Sequence, residues 1–528
     1  MAYATTSFDT SGKTAAHAAL LDPAPTRGRQ AAGPVRPVYL GLRSTDRNID
    51  VSPPIELDTC RTSAQRNALP RRRGNETLMN ALPPLRQRVI GASIWSLGGF
   101  GLSQLIRFGG NLLLTRLLAP DMFGVMAIAT VVMSTLAVLS DIGLKQNVVQ
   151  SRRGSDGRFL DTVWTIQILR GFQLAVAILA VAGIIFFVQH FGLVAKANVY
   201  ADSRVPFIVA SVSVGAIIYG FTSTKAYEAS RNLQIQRTTL IEIASQIVAL
   251  SLMLSWVMVS PTIWALVAGG IGTALTAVTL SHAILAGHRN RLEWDREAVR
   301  EVFTFGKWIL LSSIAGAVMA NLDRILLAGM TDPTTLGVYA IAFNLFLVTE
   351  QLLMRAVSAI GYAAISEIVR SRPDNLQAAY YKLHMAVALS AYLSCGLLSV
   401  LAPKLVQILY DARYADAGWM LQILSFGLLI IPSQLALQTF IALNKPQVNT
   451  AINLLRLVLI LVAMPIGFLT FGFPGALVGL VASSVTCIIV IAVCSVRMRF
   501  YDWRRELLPL PAIALGMLAG QLVLLILR

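Results

Sequence analysis

The chain has 528 residues, of which 55% are hydrophobic and only 13% charged. Soluble domains carry about 25% charge, so this is the composition of an integral membrane protein. The net charge of +17 does not indicate a nucleic-acid partner. Most basic residues lie in loops between apolar runs, where topology and anionic lipid headgroups account for them.

Residues 1–88 differ from the rest. They are rich in Pro, Arg, Ser, Asp and Thr, with 13 Lys/Arg against 7 Asp/Glu, and read as a disordered basic cytoplasmic tail. They lack the continuous apolar core of a secretory signal. Met79 offers an alternative start, which would give a short conventional tail. Ser11-Gly-Lys-Thr14 resembles the end of a phosphate-binding loop, but no strand precedes it.

Apolar runs of membrane-spanning length follow. They lie at about 92–117, 122–141, 160–188, 204–224, 239–259, 262–286, 305–330, 336–363, 383–402, 417–441, 447–470, 474–496 and 507–527. Barrel strands would alternate and run near ten residues, so a barrel is excluded. The loops alternate sharply in charge. Those on one side hold 20 Lys/Arg, whereas Lys196, Arg204, Lys404 and Arg413 are the four on the other. The positive-inside rule places the N-terminus and the basic loops in the cytoplasm.

Leu112–Ala129 and Ile325–Ala342, 213 residues apart, match at 8 of 18 positions without a gap, including Pro120/Pro333 and Gly124/Gly337. The same register pairs Trp95 with Trp308. Each copy is a helical hairpin, and repeated membrane halves are how many secondary transporters are built. The expected domains are an N-terminal six-helix bundle (89–286), a linker loop (287–306), a C-terminal six-helix bundle (307–499) and an additional C-terminal helix (500–528), either spanning or interfacial. Six spans separate the copies, so the pseudo-two-fold axis should follow the membrane normal. The fold class is an all-α polytopic membrane protein of 12–13 transmembrane helices.

Polar residues inside spans are costly and usually face a cavity or a partner. Gln104, Arg107, Asn111 and Thr115 share one face of span one. Asn344, Gln351, Arg355 and Ser358 share a face of span eight, and Asn449, Asn453 and Arg456 one of span eleven. Span seven carries Asn321, Asp323 and Arg324. Span five has Glu242 and Gln246, span three Gln167, Arg170 and Gln173, and span ten Gln434 and Gln438. A lone amide is commonly helix–helix glue, but stripes in both halves point to a hydrated cavity. Guanidinium groups hold phosphate oxygens in pairs, and amides donate to and accept from sugar hydroxyls. The candidate substrate residues are therefore Gln104, Arg107, Asn111, Arg170, Asn321, Arg324, Gln351, Arg355, Asn453 and Arg456. Asp141, Glu242, Asp323 and Glu350 are candidates for a coupling proton or sodium ion. His190 and His282 read as interfacial.

Cys60, Cys395, Cys487 and Cys494 show neither metal spacing nor a disulfide framework. No cofactor is expected, no catalytic motif occurs, and the loops opposite the basic side are short. A membrane polymerase or glycosyltransferase would be expected to carry a larger loop there.

Thr115-Arg-Leu-Leu-Ala-Pro-Asp-Met-Phe-Gly124 with Asp141-Ile-Gly-Leu144 resembles the first hairpin of Wzx-type polysaccharide repeat-unit flippases, in the multidrug/oligosaccharidyl-lipid/polysaccharide exporter (MOP) superfamily. Asn321-Leu-Asp-Arg324 through Leu336-Gly-Val-Tyr339, and Ile408 through Asp416, are similar too. The resemblance covers about 90–500. It implies twelve core helices in two bundles around a central cavity. It also implies flipping of undecaprenyl-diphosphate-linked oligosaccharides across the bacterial inner membrane for exopolysaccharide, capsule or lipopolysaccharide O-antigen synthesis, and not an enzyme. Its implied partners are the lipid-linked oligosaccharide, membrane lipids, and a polysaccharide polymerase and co-polymerase. A MATE-like multidrug antiporter is the alternative, for which acidic and aromatic lining would be expected. A nontransporting scaffold within a polysaccharide assembly complex is a further one.

Overall fold

The computed structural model describes residues 85–195, 198–232, 234–371, 375–498 and 500–526. Residues 1–84 of the tail expected over 1–88, with Met79, the Ser11–Thr14 motif and Cys60, lie outside them. Helix α1 begins at Leu85, so the last four residues assigned to that tail are helical.

The first half comprises α1 (Leu85–Leu117), α2 (Pro120–Leu139), a short α3 (Leu144–Gln150), α4 (Gly157–His190), α5 (Val205–Gly220), a short α6 (Lys225–Arg231), α7 (Ile235–Val259) and α8 (Trp264–Ala283). The second comprises α9 (Arg296–Ala328), α10 (Pro333–Ser371), α11 (Leu376–Leu409), α12 (Ala417–Ser425), α13 (Ile431–Ala442) and α14 (Pro446–Arg497). The short α15 (Trp503–Leu507) and α16 (Pro511–Ile526) close the chain. Each expected span coincides with a helix. Among the described residues nine helices are long and apolar enough to cross a membrane, or ten if the bent pair α5–α6 is one span. The two 33-residue helices α1 and α9 are outside that count. They are long enough to cross, but they are among the helices carrying the polar stripes.

Prolines shape several boundaries. Pro120 and Pro333 open α2 and α10, where a missing N–H costs nothing and φ is preset. Asp332 caps α10 by accepting from the Thr334 and Thr335 amides at 2.9 and 3.1 Å. Pro432 lies just after a 3₁₀ stretch, Phe426–Ile430, that joins α12 to α13 into one span. Gly472, at φ 66° and ψ −150°, breaks α14 into two helices, giving the two spans expected at 447–470 and 474–496. Only glycine adopts such a conformation without strain.

Helix α2 packs against both α9 and α10. The repeat copies meet there. A Cβ on Gly124 would land on the Pro333 carbonyl, and one on Gly337 would land on the Pro120 carbonyl. The reciprocity is that of a two-fold relation between the halves. At the end of the molecule carrying the basic loops, the start of α9 is anchored to the first half: Ala298 and Val302 pack with Leu144, Val148, Phe159 and Leu160. There too Arg153 donates to Asp295 at 2.9 Å, which holds the Asp295 carboxyl below its usual range. The last helix, α16, lies along α11, and with α15 it is among the helices long and apolar enough to cross a membrane.

Candidate functional site

A cavity of about 540 Å³ lies between the halves. Its polar lining is mainly amide: Gln104 and Asn111 on α1, Gln246 on α7, and Asn344 and Gln351 on α10. Thr273 and Tyr410 add hydroxyls, and Phe108, Leu114, Phe123 and Met253 supply apolar wall. The single guanidinium is Arg107. Gln104 and Gln246 each present a buried Oε1 with no partner, and the Tyr410 hydroxyl is likewise unpartnered. Such groups are costly to bury unpaired.

Toward the basic end, Arg107 also lines a vestibule of about 490 Å³, together with Lys145, Arg355 and Glu242. Three cations face one acid there. The Arg355 guanidinium lies 3.3 Å over the Phe100 ring, so an α10 cation rests on an α1 ring across the two halves. Arg107 donates to Ser103 Oγ at 3.4 Å and stands 3.9 Å from Glu242, which accepts from Ser103 at 3.1 Å. Gln246 bonds the same serine at 2.6 Å. Both Arg107 and Glu242 are more than half exposed, so they are available to a ligand.

The second-half candidates fall elsewhere. Asp323, Arg324, Glu350, Asn453 and Arg456 line a separate cavity of about 470 Å³ enclosed by α9, α10, α12–α13 and α14. Helix α10 divides it from the central one, with Leu347 facing both. The expectation that Arg324 and Arg456 join Arg107 at one site does not hold in this geometry, because their helix faces turn into the second bundle.

Three further candidates are occupied structurally. Arg170 donates to the Ala137 carbonyl at 2.7 Å and Ser140 Oγ at 3.2 Å, and pairs with Asp141 at 3.6 Å. Arg170 and Asp141 thus tie α4 to the end of α2 and line none of these cavities. Asn321 is buried, and its amide donates to Ser134 and Thr135 of α2, both at 3.2 Å. Gln167 is held by the Gly220 and Thr222 carbonyls and by the Tyr227 hydroxyl. These are the helix–helix bonds that a lone polar residue commonly makes.

Lys145, Thr273 and Tyr410 were missed by the stripe pattern, because they sit at or near helix ends or alone on a face. Lys145 directly follows the Asp141-Ile-Gly-Leu144 turn, the one local signal that would have found it.

The opposite end is shut. The first repeat hairpin is gripped by the second half: Arg413 donates to the Thr115 and Arg116 carbonyls at 3.1 and 3.2 Å, and Tyr414 to the Leu118 carbonyl at 3.3 Å. The second hairpin is gripped by the first half: the Val199 amide donates to the Thr331 carbonyl at 2.9 Å, and Tyr200 to Ile325 O at 3.3 Å. The gripping elements are 3₁₀ turns, Val199–Ala201 and Ala412–Tyr414, separated by the same 213-residue offset as the hairpins. Carboxylates stiffen both. Asp411 is held below its usual range by the Arg413 guanidinium. Burial alone would raise Asp202, but its bonds from Arg204 bring it down.

Duplicated halves with a polar cavity between them are the architecture on which many membrane transporters are built. A family model described as "Polysaccharide biosynthesis protein" matches residues 113–419, more than half of the chain. The chain is similar to the lipopolysaccharide biosynthesis protein WzxC of Escherichia coli (strain K12), 20% identical over 407 residues that cover 75% of this chain and 78% of the relative. It is also similar to the succinoglycan biosynthesis transport protein ExoT of Rhizobium meliloti (strain 1021), 21% identical over 343 residues, 64% of this chain and 65% of the relative. Among solved structures the fold matches an inward-facing multidrug resistance MATE family transporter of the MOP superfamily, with a TM-score of 0.56, 14% identity and coverage of 76% of this chain and 94% of that one. It matches the lipid II flippase MurJ, inward closed, with a TM-score of 0.56, 11% identity and coverage of 82% and 98%. The chain belongs to the polysaccharide biosynthesis protein family.

Proposed function

We propose that this protein flips undecaprenyl-diphosphate-linked oligosaccharide repeat units across the bacterial inner membrane, for exopolysaccharide, capsule or lipopolysaccharide O-antigen synthesis. The observation that carries the reading is Arg107, which joins a cationic vestibule to an amide-lined cavity. Arg107, Arg355 and Lys145 hold the diphosphate, whose charge matches the excess of cations over Glu242. The sugars occupy the amide cavity, where each carboxamide both donates and accepts. The polyprenyl tail stays in the bilayer. By the charge of its loops the vestibule faces the cytoplasm, so the structure is loaded from the side on which repeat units are assembled.

A hydrophobic cation suits this lining poorly, since Glu242 is the one acid in either compartment. That supports a polysaccharide cargo over a multidrug one. About two charges crossing the field are worth on the order of 4–5 kcal/mol per 100 mV, so the membrane potential itself is a driving force for the cycle.

The test is flipping of a fluorescent undecaprenyl-diphosphate oligosaccharide in proteoliposomes. Protection of the fluorophore from a membrane-impermeant quencher should change with time for the wild type and stay at the protein-free rate for Arg107→Ala/Arg355→Ala. Equal rates for both proteins would remove the proposal. Collapsing the potential at fixed pH and sodium gradients should slow the wild type.

A further inference from the structure

The cavity inside the second half has a chemistry of its own. The Arg324 guanidinium carbon lies 4.5 Å from the centroid of the Phe343 ring, a cation–π contact, and its Nε is buried with no partner. Arg456 donates from one terminal nitrogen to Ser484 Oγ at 3.2 Å, and its Nε is also buried and unpartnered. Both arginines line one cavity within the second half.

Two acids share that space, Asp323 and Glu350. Asp323 accepts from the buried Tyr339 hydroxyl at 2.5 Å. Among the described residues, no ion pair joins either acid to either arginine. Four charges that face a common cavity without direct bonds between them leave hydrogen-bonding capacity on its wall. A bridging ligand uses this capacity if it brings acceptors to the guanidinium groups and donors to the carboxylates.

We propose that this cavity is a second ligand site, distinct from the central one, for a hydroxylated monocarboxylate of the sugar-acid class. The carboxylate accepts from the terminal nitrogens of Arg324 and Arg456, which line the cavity, as charge-assisted bonds. Ring hydroxyls donate to Glu350 and exchange bonds with Asn453, which lies on the same wall. A monoanion suits the balanced charge of the wall better than a dianionic phosphate, which would add two negative charges beside two carboxylates. The volume, about 470 Å³, falls within the range of small-molecule pockets. Phe343 and Phe346 supply apolar surface for the C–H face of a pyranose ring.

Purified wild-type protein in detergent is titrated with D-glucuronate, D-glucose and acetate at constant ionic strength, with thermal unfolding as the readout. Glucuronate should stabilise at concentrations where the other two do not. Arg324→Gln and Arg456→Gln should each weaken the glucuronate midpoint about 10-fold or more, as loss of a charge-assisted pair does. Asn453→Leu, which leaves all four charges in place, should weaken it several-fold. Exposed Arg300→Gln should not move it. Equal stabilisation by acetate overturns the sugar part of the proposal. Equal stabilisation by glucose, or a midpoint unmoved in both Asn453→Leu and whichever arginine variant folds, overturns the site.

Discussion

Gly124 and Gly337 are equivalent residues of the two repeat copies, and each packs against the carbonyl of the proline that opens the other copy's helix. The repeat is therefore not only a sequence echo. Its two members are in contact, at the place where the halves turn against each other. Enlarging either glycine forces backbone against backbone. Gly124→Leu or Gly337→Leu should destabilise by at least the roughly 1–3 kcal/mol of overpacking. Lower melting temperature and reduced yield of monodisperse protein in detergent check this. Gly270→Ala is the control, since nothing lies within 4 Å of a Cβ there; it should be neutral or stabilising by up to about 1 kcal/mol.

Arg107 and Arg355 are the vestibule groups with forked geometry. Single alanine variants should each lose about 1.5–3 kcal/mol of cargo affinity, on the order of 10–150-fold. Arg107→Lys should recover part of this, because the charge remains but the paired bonds do not. Lys145→Ala should lose less, as a point charge on a flexible stem. The concentration dependence of flipping in proteoliposomes reads all four; wild-type affinity in both arginine variants would remove their assigned role.

The two 3₁₀ clamps predict a shift in gating. Removing the Arg413 and Tyr200 bonds (Arg413→Ala with Tyr200→Phe) deletes about 1 kcal/mol per bond, or roughly 5-fold each in the population open at the clamped end. A cysteine placed at Asn111 should then react faster with an impermeant maleimide added from that side. An unchanged rate would mean the clamps do not set the closed state.

Acid should act on the same clamps. Asp202 and Asp411 have carboxyls held below their ordinary pKa. Their contribution is complete above the unfolded pKa of about 4 and is lost as the pH falls through the folded value. Maleimide reactivity at position 111, corrected for the reagent's own pH dependence, should be flat from neutrality down to about pH 4 and rise below it. Asp411→Asn should show part of the rise already at pH 7.

Arg170 separates structure from transport. Its bonds to Ala137, Ser140 and Asp141 predict that Arg170→Ala lowers thermal stability by a few kcal/mol, as loss of a partly buried charged network does. Flipping per correctly folded molecule should be preserved, which distinguishes it from Arg107→Ala.

Spans and hairpins were legible because length, apolarity and proline are local signals. Of the polar stripe on α1, Gln104, Arg107 and Asn111 line the central space, whereas Thr115 is buried and donates to the Leu112 carbonyl. The second-half stripes were not assignable from sequence. Periodicity says that Arg324 and Arg456 share a face with their own neighbours, but not which cavity that face meets. Only the rotation of α9 and α14 within their bundle decides that. Arg170 and Asn321 looked alike to Arg107 and Asn111 in sequence, and differ because a bonding partner on α2 lies within reach. The 3₁₀ clamps carry too little identity to align, although their offset repeats that of the hairpins.

Five carboxamides in the central cavity bear no net charge, so the charge of the transport path is set at the vestibule, where three cations face Glu242. With a diphosphate seated there the loaded site is close to neutral, and the empty one carries about two positive charges. A potential negative inside therefore acts mainly on the empty carrier, drawing its cations back toward the cytoplasm. The voltage resets the molecule, and the cargo step itself proceeds almost without electrical work.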